Sequence, residues 1–369
     1  MRIGIVLHGP EIVDVGSAKW IIGIFRKEHD VIAKLGGTMG RTAVLDAGLE
    51  KEIDISGGLT PSETINSIKD RIDLAVLLNH GKTLHTGRYF GQLIASKLLD
   101  PDRFVHIERP DYEGRIIYYS PGAKKWAEYV RALLGRYGPK YDLPIESYDR
   151  LRLCIKAEGF ITIRSISGAF VGENIRLNGI VIGEVTHPEL EIVCRDGMVV
   201  ELRGGKIKPH GLEKLNNRKI DLSTAKVKTG NIRRTHHNRL IKRSSSQESG
   251  TIAIIDHCAE STFELIKDAS MVITVGDDTT AIAADILTRF GIPVIGITDG
   301  DLDCVLEDTE VPAGSVIIRV REGYDDILGQ KVFMKIMDSK QQLKGQNNDN
   351  LLSRILEMAE KYIIEVKYY

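Results

Sequence analysis

Three acidic clusters in the last third of the chain each follow a short apolar run. Asp256-His257-Cys258-Ala259-Glu260 comes after Thr251–Ile255, and Gly276-Asp277-Asp278-Thr279-Thr280 after Met271–Val275. Thr298-Asp299-Gly300-Asp301-Leu302-Asp303 comes after Pro293–Ile297. Crowded carboxylates repel one another, and a hard cation such as Mg²⁺ relieves that repulsion. Asp277, Asp299 and Asp301 are therefore the candidate metal ligands. Asp278, Thr279 and Thr280 open a predicted helix, whose free N–H groups and dipole attract anions, so they are candidate phosphate contacts. Metal-binding carboxylates beside such a helix start make a phosphoryl-handling arrangement. The plainer reading makes Asp277 or Asp278 a helix cap and Asp299-Gly300 a turn. On adjacent parallel strands, Asp256, Asp277 and Asp299 would start roughly 5–10 Å apart along one sheet edge.

A second set lies near the N-terminus. Gly36-Gly37-Thr38-Met39-Gly40-Arg41-Thr42 joins a predicted strand to a predicted helix. Glycines let the backbone approach a ligand, the helix start supplies N–H groups, and Arg41 can grip phosphate or carboxylate in bidentate fashion. The spacing is not GxGxxG, the P-loop ending is missing, and a simple tight turn is the alternative. His8-Gly9-Pro10-Glu11 and Asn79-His80-Gly81-Lys82 follow two other apolar runs and would line the same edge. His80 and Lys82 are the candidate catalytic acid/base or phosphate groups, against an ordinary role as loop residues. His236-His237 has no further ligand at metal-binding spacing and reads as part of a solvated linker.

The elements that must position these residues are legible from punctuation. Over residues 1–150, apolar strands alternate with helices such as Ser17–Glu28, which predicts a parallel sheet covered on both faces. Over 151–208 the runs shorten, and Asn178-Gly179 and Asp196-Gly197 between them are hairpin signals, so a small antiparallel module is expected. Residues 209–250 are polar and basic and read as a linker. Residues 251–339 return to strand–helix alternation, and 351–369 are expected to carry a terminal amphipathic helix. The fold class is α/β: two open, mostly parallel-sheet, Rossmann-like units flanking a β-rich module.

Bulk properties narrow the function. The 369 residues are 42% hydrophobic and 27% charged with a formal net charge of -1, so the molecule as a whole is not a polycation that coats nucleic acid. Cys154, Cys194, Cys258 and Cys304 form no CxxC pair, which fits a reducing compartment. No apolar run reaches membrane-span length, and Met1–Pro10 lacks the features of a signal peptide, so the expected location is the cytoplasm.

Asp301 and Asp303 resemble the DxD of metal-dependent toprim-type folds, and Gly276-Asp277-Asp278-Thr279 resembles the glycine–aspartate turn of NAD-kinase-like folds. Each likeness covers only a few residues. Taken together, His8–Glu11, the 36–42 loop, Asn178–Gly183 and Asp277–Thr280 resemble an uncharacterised family of archaeal proteins found largely in methanogens. That resemblance implies a cytoplasmic archaeal protein and carries no activity with it. The leading reading is a Mg²⁺-dependent enzyme acting on a nucleotide or other phosphorylated small molecule. A non-catalytic protein that holds such a ligand is the alternative, and nucleic-acid binding through the basic segment is a third.

Overall fold

The computed structural model describes residues 1–38, 40–148, 155–215, 219–230, 250–266, 268–300, 311–344 and 348–369. The chain is mixed α/β and divides into two compact units, Met1–His237 and Asn238–Tyr369. No helix among the described residues is long and apolar enough to cross a membrane.

Unit 1 begins with β1 (Arg2–His8), α1 (Glu11–Asp14), α2 (Ser17–Glu28), β2 (Asp30–Gly36), α3 (Arg41–Asp46) and α4 (Pro61–Ile68). It continues with β3 (Leu74–Asn79), α5 (Leu84–Ala95), β4 (Phe104–Glu108), β5 (Arg115–Tyr118), α6 (Lys124–Gly135) and β6 (Ile145–Ser147). The strands lie in the order β2-β1-β3-β4-β5-β6. The first four are parallel, β5 runs antiparallel to β4, and β6 is parallel to β5. Strand alternation divides the apolar residues between two faces. Ile3, Ile5 and Leu7 pack in one core with Ile21, Ile22 and Phe25 of α2, and Val6, Leu77 and Phe104 in another with Ile65, Ile68 and Ile94 of α4 and α5. Thr60 and Glu63 form a capping box that starts α4, with Pro61 in its first turn.

The β-rich segment belongs to the same unit. Its strands are β7 (Ile155–Glu158), β8 (Ile161–Ile166), β9 (Asn174–Leu177), β10 (Ile180–Val185), β11 (Leu190–Arg195), β12 (Met198–Arg203) and β13 (Gly205–Ile207). α7 (Pro209–Leu215) and β14 (Val227–Thr229) complete it. Two four-stranded antiparallel sheets, β13-β10-β9-β14 and β12-β11-β8-β7, contribute to one core. Asn178-Gly179 and Asp196-Gly197 make the expected tight turns, all four residues having positive φ. The expected linker over 209–250 is therefore partly structured. Leu215, Ile220, Leu222 and Ala225 are buried in the module's core, which draws this basic stretch into the fold. Residues 231–249, including His236 and His237, lie outside the described residues.

Unit 2 contains β15 (Ile252–Asp256), α8 (Thr262–Leu265), β16 (Met271–Val275), α9 (Asp277–Thr288) and β17 (Val294–Thr298). β18 (Val316–Val320), α10 (Tyr324–Lys335), β19 (Gln342–Leu343), α11 (Asn348–Ala359) and β20 (Ile363–Tyr368) follow. The sheet order is β19-β15-β16-β17-β18-β20, with β15 to β18 parallel and an antiparallel strand at each edge. Ala283 and Leu287 of α9 pack on one face, and Leu328 and Ile355 of α10 and α11 on the other. The expected terminal helix stops at Ala359. The residues after it, Ile363–Tyr368, form β20 instead, because pairing with β18 satisfies that strand's open edge.

Candidate functional sites

In unit 1 the strand order reverses between β1 and β3, the place where open α/β sheets leave a crevice beyond their carboxyl ends. Gly36, His8, Asn79 and Glu108 occupy one row across β2, β1, β3 and β4 there. Residues in one row share a face, so the three side chains meet. His8 Nδ1 is 2.9 Å from Asn79 Oδ1, and Asn79 Nδ2 donates to Glu108 Oε2 at 2.6 Å. The Gly81 N–H donates to Glu108 Oε1 at 2.6 Å. A carboxylate only accepts, so the Asn79 amide must turn its NH₂ toward Glu108 and its oxygen toward His8. His8 therefore carries its proton on Nδ1 and keeps Nε2 as an acceptor. Burial pushes the His8 imidazole down from 6.5 to about 4 despite the Asn79 hydrogen bond, and Lys228 pushes the same way.

Behind this row lie His106 and Tyr119. His106 Nε2 is 3.0 Å from Glu108 Oε2, and His106 Nδ1 is 2.8 Å from the Tyr119 hydroxyl. Burial, then the Glu108 charge, raises the Tyr119 phenol well above its ordinary range, so it stays neutral. Glu108 and His106 are wholly buried. α5 makes room for them with glycine. A Cβ at Gly87 would lie 2.1 Å from the Glu108 carboxyl carbon, and one at Gly91 would lie 2.1 Å from the Tyr119 hydroxyl.

The glycine loop is less of a cradle than expected. A Cβ on Gly36 would meet the Pro61 backbone at 2.7 Å, and one on Gly40 would meet the Gly9 carbonyl oxygen at 2.8 Å. These two glycines serve close packing. Gly37, with φ +87° and open space around it, has the freedom that the ligand reading requires. Thr38 is half-buried and its carbonyl accepts from the Arg41 N–H, while Thr42 is half-buried in α3. Arg41 is 1% exposed and donates Nε to the Ile55 carbonyl, so its guanidinium is turned into the protein. His80 pairs with Asp111 at 3.0 Å. Lys82 bonds Glu173 at 2.5 Å, Thr229 at 2.8 Å and the Gly168 carbonyl at 3.3 Å, clamping the β-module onto the end of β3.

In unit 2, β15, β16 and β17 are adjacent and parallel, so Asp256 ends one of three neighbouring strands and Asp277 and Asp299 come just after the other two. The tightest convergence, however, recruits residues that the sequence reading missed. His257, Asp325 and Asp326 each offer a ligand atom within 4.8 Å of the others. His257 Nδ1 is 2.5 Å from Asp256 Oδ1, and its Nε2 is 3.3 Å from Asp326 Oδ1. Burial, then the charge of Asp299, raises the Asp325 carboxyl above its ordinary range. Asp299 also accepts the Gly323 N–H at 2.8 Å, which ties the end of β17 to the start of α10. The available signal was Gly323-Tyr324-Asp325-Asp326, a glycine and paired acids after a strand, as in Gly276-Asp277-Asp278. Asp277 is half-buried and Asp278 exposed at the start of α9, which has no side-chain cap. Thr279 is buried, and the Thr280 hydroxyl sits 2.8 Å from that of Thr274, so Thr280 faces the sheet rather than the helix end. Asp301 lies outside the described residues.

A protein of Methanocaldococcus jannaschii, described as uncharacterized, is 40% identical to this chain over 333 residues, covering 89% of this chain and 90% of that protein. Residues 5–340 match the family model described as "Uncharacterized protein conserved in archaea (DUF2117)". That match spans both groups of side chains described above, and the chain belongs to this archaeal family.

Proposed function

We propose that unit 2 holds a divalent cation and that the protein is an enzyme acting there on a phosphorylated or nucleotide-like small molecule. The observation that carries this reading is the convergence of His257, Asp325 and Asp326, with ligand atoms within 4.8 Å of one another. Two ligands of one cation at ~2.1 Å stand no more than ~4.2 Å apart, so small side-chain rotations close the set. Asp256 holds the other nitrogen of His257, the carboxylate–histidine–metal pattern that fixes a ligand's tautomer. Asp299 adds negative charge beside Asp325. A set of carboxylates alone favours Mg²⁺. An imidazole among them moves the preference toward Mn²⁺ or Zn²⁺. The first turn of α9, at Asp277, Asp278 and Thr279, is a helix start of the kind that suits a phosphate. Parallel strands in a Rossmann-like layout favour ligands at this edge.

Thermal denaturation with chelator, Mg²⁺, Mn²⁺ and Zn²⁺ tests the cation. Mn²⁺ or Zn²⁺ is expected to raise Tm, and Asp326→Asn and His257→Asn to abolish the rise. The same response in wild type and in the double variant would sink the proposal. Mass spectrometry of small molecules released from the purified protein, followed by incubation of the metal-loaded protein with them, separates turnover from simple retention.

A further inference from the structure

We infer that unit 1 carries a separate binding site for a small phosphate-bearing molecule, with Lys228 and Arg176 as its cations. The starting observation is a like-charge pair. Lys228 on β14 stands directly opposite Arg176 on β9. Like charges in directly opposed positions destabilise an antiparallel pair, so this one calls for a compensating anion. Among the described residues, no carboxylate lies within ion-pair distance of either side chain. The Arg176 Nε is buried and makes no hydrogen bond. A buried guanidinium N–H without an acceptor is costly, a deficit that a bound oxyanion removes.

Position supports the same conclusion. Ile175, Leu177 and Val227 turn toward the module's core, so Arg176 and Lys228 lie on the outer face of their sheet. Lys82, just after β3, bonds Thr229 and so holds that end of β14 at the carboxyl edge of the large sheet. His8, at the β1/β3 switch point, feels the Lys228 charge. Lys228 is exposed, and Arg176 and His8 are half-buried. The His8 Nε2 has no protein partner and is not sealed from solvent. The favoured ligand presents its charged oxygens to Lys228 and Arg176. Nothing here depends on the cation proposed for unit 2.

The test uses the full chain and inorganic phosphate as the probe, with chloride and acetate at matched ionic strength as controls. Titration calorimetry and thermal denaturation are run on wild type, Lys228→Met, Arg176→Met, the double variant and Lys219→Met, whose exposed lysine lies beside the Gly197 turn. Phosphate is expected to bind and stabilise wild type and Lys219→Met beyond either control anion. Each single variant at Lys228 or Arg176 is expected to bind about tenfold more weakly, the loss of one charge-assisted hydrogen bond. In chloride alone the Lys228 and Arg176 variants should be at least as stable as wild type, because a like-charge pair has been relieved. Three results overturn the inference: equal phosphate affinity in wild type and the double variant, equal stabilisation by all three anions, or destabilisation of the Lys228 and Arg176 variants without phosphate.

Discussion

At the scale of single residues, the two groups titrate in opposite senses. His8 is held neutral in the fold, at about 4 against 6.5 unfolded. The unfolded chain therefore takes up its proton first, and stability present above pH 6.5 is lost as pH falls toward about 4. The full contribution is about 3 kcal/mol as an upper bound. His8→Gln should flatten the acid side of the stability curve within that window, measured by urea denaturation from pH 7 to 4. Parallel curves for the two proteins would count against a neutral His8. Asp325 is the reverse case: burial first, then Asp299, raises its folded value, so its contribution is present at low pH and lost as pH rises through the raised value. In chelator near neutral pH, Asp325→Asn should be as stable as wild type or more so. With Mn²⁺ it should lose the cation's stabilisation. Destabilisation of the variant in chelator would show that Asp325 is a structural acid.

At the scale of elements, α5 inverts the usual rule for glycine. In an exposed helix interior, Gly→Ala stabilises by about 1 kcal/mol. Gly23 in α2 has open space and an ordinary backbone, so Gly23→Ala should follow that rule. At Gly87 the added methyl would fall within 2.1–2.4 Å of the Glu108 carboxyl group. Gly87→Ala should instead destabilise by about 1–3 kcal/mol through overpacking. Thermal melts of the two variants side by side are decisive. If both rise together, α5 does not pack tightly over Glu108.

At the scale of the molecule, Lys82 joins the α/β sheet of unit 1 to its β-module through Glu173, Thr229 and the Gly168 carbonyl. Lys82→Met leaves Glu173, whose side chain is 15% exposed, without this cation. Hydrogen exchange should speed up in residues 168–177 and 227–230, with β1 and β3 unchanged. Lys82→Met with Glu173→Gln should recover part of the loss, because the stranded charge is gone. Unchanged exchange in those segments would mean that the module docks without the clamp.

Local signals in the sequence determined much of this protein. Apolar runs such as Ile3–Leu7 are long enough to be strands and too apolar for an exposed face, so parallel sheets follow from them. Asn178-Gly179 fixed its hairpin because both residues accept the positive φ that the turn requires. The sequence also marked the strand ends where charged residues collect. It did not determine which of them meet. His257 was legible only as a neighbour of Asp256, and Asp325 joins it only because α10 starts where β17 ends. Lys228 read as one basic residue in a polar stretch, until pairing of β14 with β9 set it opposite Arg176. Arg41 had the chemistry of an anion ligand, but tertiary packing turned its guanidinium toward the Ile55 carbonyl. Periodicity and turn chemistry act within a few residues and are written in the sequence. Convergence of charges across strands depends on register and docking, which long-range packing alone decides.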